Sequence, residues 1–129
     1  MEIEVLIKEI LDEIPGVNWS PGTYPLDLTT ITQAPAAAWV VTTGSGIATS
    51  TDREAVLETS VTISLWTGDA DTRATVKETI RQKFTDCGFL ARMPSDTEIK
   101  LPDQNTAYVS VLAFSGWIDM RTYWVYQSK

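Results

Sequence analysis

The sequence contains no histidine and a single cysteine, Cys87. Histidine is the only side chain whose unperturbed pKa falls in the neutral range. Its absence excludes Ser-His-Asp and Cys-His nucleophile systems, and histidine-based zinc sites with them. One cysteine permits no internal disulfide, so nothing marks an oxidising compartment. No stretch approaches the ~20 apolar residues of a membrane-spanning helix. Basic residues are scarce as well. Ten Lys and Arg stand against 17 Asp and Glu, a formal net charge of −7 at pH 7. That balance argues against a nucleic-acid-binding surface, which needs clustered Lys and Arg.

What is present has the composition of a globular domain. At 129 residues, 43% hydrophobic and 21% charged, the chain is expected to form one domain over residues 1–129 with a real core. No internal repeat, low-complexity tract or interdomain linker interrupts it.

The first fourteen residues, MEIEVLIKEILDEI, carry five carboxylates and one lysine. These charges break the apolar run and are unlike a signal peptide, so a soluble protein made in the cytoplasm is expected. Ile3, Leu6, Ile7, Ile10, Leu11 and Ile14 recur at steps of three and four, which predicts an amphipathic helix ended by Pro15-Gly16. Residues 15–35 read as loop, punctuated by four prolines, with Trp19 and Tyr24 folding back as anchors on the core. Residues 36–43 read as a strand. A second strand runs from about Ala55 to Trp66, where Val61, Ile63 and Leu65 alternate with Thr62, Ser64 and Trp66. The two form a long antiparallel hairpin with a protruding loop around 44–55.

TGDADT opens a second helix, with Asp69 or Asp71 as its cap. Ala74, Val76, Ile80, Phe84 and Cys87 share roughly one face. Gly88 fits the left-handed residue past the helix end, and Phe89 the apolar contact after it. A short strand at 89–92, a loop at 93–106, a strand from Tyr108 to Phe114, a break at Ser115-Gly116 and a last strand from Trp117 to Tyr126 complete the chain. The predicted fold is α+β: an antiparallel or mixed sheet of four to five strands with two helices packed on one face.

No catalytic signature emerges. Gly44-Ser45-Gly46 lacks the length and context of a phosphate loop and reads as a turn. Asp69 and Asp71 are weak metal candidates that could hold magnesium, but the chain moves straight into a helix, which favours capping. Cys87 reads as a small buried hydrophobe. The expectation is a protein that is not an enzyme and holds no cofactor.

Two features point to protein contacts. Trp66 is out of phase with Val61, Ile63 and Leu65, so it faces away from the helices and needs cover, for which a partner subunit is one source. From Leu28 to Thr51, and again from Gln104 to Ile118, there is no charged residue. Charges are depleted from the cores of protein–protein interfaces.

The element order and several short strings resemble the tail terminator, or minor tail (tail completion), proteins of long-tailed bacteriophages. They are a strand ending in Trp66-Thr67, a helix ending in Gly88-Phe89, and a terminal stretch with Phe114, Gly116, Asp119 and Tyr126. The resemblance implies a structural virion protein at the tail–neck junction, made in the host cytoplasm. It implies a homo-oligomeric ring, commonly a hexamer, that caps the tail tube, stops its polymerisation and offers the head-joining surface. The partners implied are further copies of the chain, the tail tube protein and a head-completion or neck protein. DNA passes through without specific binding, and no membrane is involved.

Under that resemblance the candidate interface residues are Trp39, Gly44, Ser45, Gly46, Ile47, Asp52, Arg53, Trp66, Trp117, Asp119 and Arg121. The acidic helix face of Glu2, Glu9, Asp12 and Glu13 is a candidate lumen lining that would repel phosphate. Two other readings stay open. One is a head-closure or neck adaptor protein of the same virion. The other, from a different class, is a small acidic ligand- or metal-binding domain using carboxylates near Asp69, Asp71 or Asp119.

Overall fold

A computed structural model describes residues 3–22, 25, 31, 34–47, 56–102, 106–119 and 125–127. Of residues 3, 44–47, 56–57, 119 and 125–127 it describes the backbone alone. The elements run α1 (Ile3–Asp12), β1 (Asn18–Pro21), β2 (Ala36–Ile47), β3 (Val56–Thr67), α2 (Ala70–Asp86), β4 (Leu90–Ala91), β5 (Ser95–Lys100), β6 (Thr106–Asp119) and β7 (Val125–Gln127).

The strands build one mixed sheet. Its order is β1-β2-β3-β6, and a fifth lane beyond β6 is shared end to end by β5, β4 and β7. β5 pairs with residues 106–111 of β6, β4 with 114–115 and β7 with 116–118. Every pairing is antiparallel except β1 with β2. The α+β expectation holds, and the five lanes accommodate seven strands.

The core follows from period-two alternation in the central strands. Val61, Ile63 and Leu65 of β3 are fully buried. In register beside them lie Ala37 and Trp39 of β2, and Leu112 and Phe114 of β6. Ile118 extends the same face of β6. The apolar stripe of α1 (Ile7, Ile10, Leu11) with Ile14, and Ile80 and Phe84 of α2, join the same cluster, so both helices cover one face of the sheet. Phe84 stacks on Phe114 with ring centroids 4.6 Å apart. It meets Phe89 edge-on at 5.4 Å, a favoured aromatic geometry.

Both ends of α2 are built as expected. Asp69 is the N-cap and accepts hydrogen bonds from the Thr72 backbone N–H at 2.7 Å and hydroxyl at 2.8 Å. At the other end the N–H of Phe89 donates to the Phe84 carbonyl and that of Gly88 to Thr85. Gly88 has φ +105°, so the chain leaves through a Schellman turn.

Five expectations are corrected. Gly44-Ser45-Gly46 is not a turn, because β2 continues through it to Ile47. Ala74 is exposed and not on the buried face of α2. The stretch 93–106 is not all loop, because β5 runs through it. Residues 15–35 contain β1, held by parallel pairing to β2. Ser115-Gly116 does not interrupt β6, since Gly116 pairs with Thr59 on one side and Gln127 on the other. Trp19 packs against the core as expected. Of the hairpin loop expected around 44–55, residues 44–47 belong to β2, and residues 48–55, like Tyr24, lie outside the described residues. Among the described residues, no helix is long and apolar enough to cross a membrane.

Candidate interaction surface

The face of the sheet turned away from the helices is the most distinctive surface. Register assigns its side chains: Ala36, Ala38, Val40 and Thr42 on β2; Glu58, Ser60, Thr62, Ser64 and Trp66 on β3; Ala107, Val109, Val111, Ala113, Ser115 and Trp117 on β6; Ser95, Thr97 and Ile99 on β5. Among these described side chains Glu58 is the one charge. At one end the face is covered, where Ile31 packs over Ala36, Trp66, Ala107 and Val109. Further along, Thr42, Thr62, Ile99 and Val111 are exposed and Val40, Ala113 and Trp117 are half-buried.

Three charged side chains of β5 lie on the other side. β5 turns Asp96, Glu98 and Lys100 toward the helix face. Lys77 of α2 binds Asp96 at 2.8 Å, and Ser110 donates to the same carboxylate at 2.6 Å. Lys77 first, and Ser110 second, hold the Asp96 carboxyl below its ordinary range. Arg73 reaches Glu98 at 3.7 Å, sits over the Tyr108 ring and donates to the Thr97 carbonyl at 3.2 Å. These contacts fasten α2 to the β5 edge and draw acidic groups away from the outer face.

The candidate interface residues are not brought to one place. Trp66 lies on the outer face as its phase predicts, but it is 7% exposed and belongs to the small cluster under Ile31. Its indole N–H, like that of Trp19, has no hydrogen-bond partner among the described residues. Trp117 is half-buried on the outer face opposite Glu58. Trp39 points toward the helices and is part of the main core. Gly44 and Ser45 fall in an irregularity of the β2–β3 ladder between Thr43 and Gly46, and Gly46 and Ile47 form the distal end of β2. Asp119 closes β6. Asp52, Arg53 and Arg121 lie outside the described residues.

Of the candidate lumen acids, Glu2 lies outside the described residues and Glu9 is exposed. Asp12 pairs with Lys8 at 3.7 Å. Glu13 pairs with Lys83 of α2 at 2.9 Å. That pair spans an open cleft of about 560 Å³ lined also by Ile14, Thr75, Glu78, Thr79, Gln82 and Asp86. A second hollow of about 480 Å³ lies where Lys8, Leu11 and Asp12 of α1 face Val17, Asn18, Trp19, Pro21 and Trp39.

For metal chemistry, Asp69 spends its oxygens on Thr72, whose N–H and hydroxyl hold its carboxyl below the ordinary range. Asp71 is exposed in the first turn of α2. Among the described residues no three His, Cys, Asp or Glu gather to hold a metal ion. Cys87 is half-buried against the core, and burial raises its thiol pKa, the opposite of what a nucleophile needs.

No protein-family model matches the chain, and no curated protein matches it either.

Proposed function

We propose that this protein is a structural assembly subunit that resembles the tail terminators of long-tailed bacteriophages. In this reading copies of the chain form a ring on the end of the tail tube, stop its polymerisation and present the surface that the head joins. The observation that carries the assembly part is the outer sheet face. A broad face whose described side chains include one charge, in a chain of 17 acids and 10 bases, has the charge-poor composition of an interface core. The tail-terminator part rests on the resemblance of element order and short strings.

Ring closure needs a heterologous contact, in which one patch meets a different patch on the next copy. The acidic, partly paired face of α1 is compatible with a surface that DNA passes without adhering. The test is capping. Purified protein added to elongating tail tubes arrests their growth and remains at one tube end. Tubes that elongate unchanged, with no protein at their ends, overturn the reading.

A further inference from the structure

The two edges of the sheet are treated differently. The β5 edge carries Asp96, Glu98 and Lys100, and the Arg73 side chain occupies the Thr97 carbonyl. Charge and covering groups of this kind protect an edge from pairing with another strand. Among the described residues the β2 edge has neither, and its one irregularity lies between Thr43 and Gly46. β1 covers it along residues 36–39 and stops. From Val40 to Ile47, reading VVTTGSGI, no charge and no proline follow. Among the described residues no strand pairs with that stretch on the side away from β3.

The direction of its backbone groups can be worked out. The N–H of Asn18 donates to the Pro35 carbonyl and that of Gly22 to the Trp39 carbonyl, both at 2.9 Å. Odd-numbered residues of β2 therefore point N–H and C=O into the β1 lane, and alternation carries this to Val41 and Thr43. Those groups face a lane in line with β1 that no strand fills among the described residues. Thr42 and Thr43 are both exposed, and Val40 and Val41 are half-buried.

We infer that the free half of β2 is a strand-pairing site taken by the same segment of a second copy, antiparallel, about a two-fold axis. Charge selects the occupant. Two molecules of net charge −7 repel wherever acidic surfaces meet, and an uncharged strand lets them approach without that cost. An isologous contact needs one self-complementary patch, and the blunted β5 edge makes a poor counterpart. The contact yields pairs, whereas ring closure needs a different surface, so this inference stands apart from the ring reading.

The experiment combines light scattering across a dilution series with amide hydrogen exchange. Thr42→Lys sets two like charges across the two-fold, and Thr43→Pro removes one N–H aimed at the lane. Both positions are exposed, so far-UV circular dichroism and melting should be unchanged. Wild type is expected to pair reversibly, with the Val41 and Thr43 amides protected when concentrated and exchanging when diluted. Each variant weakens association by about ten-fold or more, and Thr42→Lys loses the protection at those amides. A monomer of 14.3 kDa at every concentration, or pairs that both variants retain, overturns the inference. So does a ring-sized mass with Val41 and Thr43 unprotected, which leaves the ring reading intact. Protection that also spreads along β5 identifies the neighbour's β5 as occupant and overturns the two-fold.

Discussion

Helix α2 spans 17 residues, yet Ile80 and Phe84 are its two buried side chains. Phe84 is 0% exposed, stacked on Phe114 of β6 and edge-on to Phe89. Removing its ring should therefore loosen the helix from the sheet. Phe→Ala in a core costs about 3–5 kcal/mol, because burial is lost and a cavity remains. The site cannot collapse easily, since Phe114 is held in β6 between two flanking lanes. We expect Phe84→Ala to cost about 4 kcal/mol, a large share of the roughly 5–15 kcal/mol that holds a domain of this kind. At about 4 °C per kcal/mol for a chain of this size, Tm falls by roughly 15 °C. Phe84→Leu keeps most of the apolar volume and loses the ring contacts, so it should cost roughly 1–2 kcal/mol. Urea unfolding followed by circular dichroism, with the m value compared, measures both. A Phe84→Ala cost below about 1.5 kcal/mol at unchanged m refutes the packing argument, as does a Phe84→Leu cost equal to it.

Gly88→Ala places a Cβ at φ +105° and should destabilise by about 1–2 kcal/mol in the same assay; a neutral result would show that the turn after α2 relaxes. Asp96 has its pKa lowered chiefly by Lys77, so its contribution is present above the ordinary carboxylate pKa and is lost as pH falls through the lower folded value. The urea midpoint of wild type should exceed that of Asp96→Asn at neutral pH, and the gap should close in acid; a gap independent of pH contradicts the Lys77–Asp96 pairing.

Much of this architecture was legible from periodicity. The three- and four-residue steps of α1, the alternation of β3 and the cap and exit of α2 each came from a strong local pattern. β5 was not legible, because SDTEIK has no apolar alternation. Its residues are all exposed to solvent, and it is held by the β6 ladder and by Arg73 and Lys77. β1 was hidden for a similar reason, since it depends on parallel pairing to a strand distant in sequence. Gly116 looked like a break, but both its flanking lanes are occupied, and the ladder carries the strand through it.

The surface was half legible. Phase alone placed Trp66 on the outer face. The uncharged span 28–51 did not separate inside from outside, because in β2 both the buried odd positions and the outward even ones are neutral. Trp39 is accordingly core. The uncharged stretch from Val40 to Ile47 was visible in the sequence, but that no described strand pairs with its far side was not, since this depends on where β1 stops.

We propose that copies of this chain assemble through their uncharged surfaces into a ring that caps a tail tube. Negative-stain imaging of the purified protein mixed with its cognate tail tubes tests it most directly. A ring with a central hole wide enough for duplex DNA, seated at one end of the tubes, is expected. Bare tube ends beside unassembled protein would contradict it.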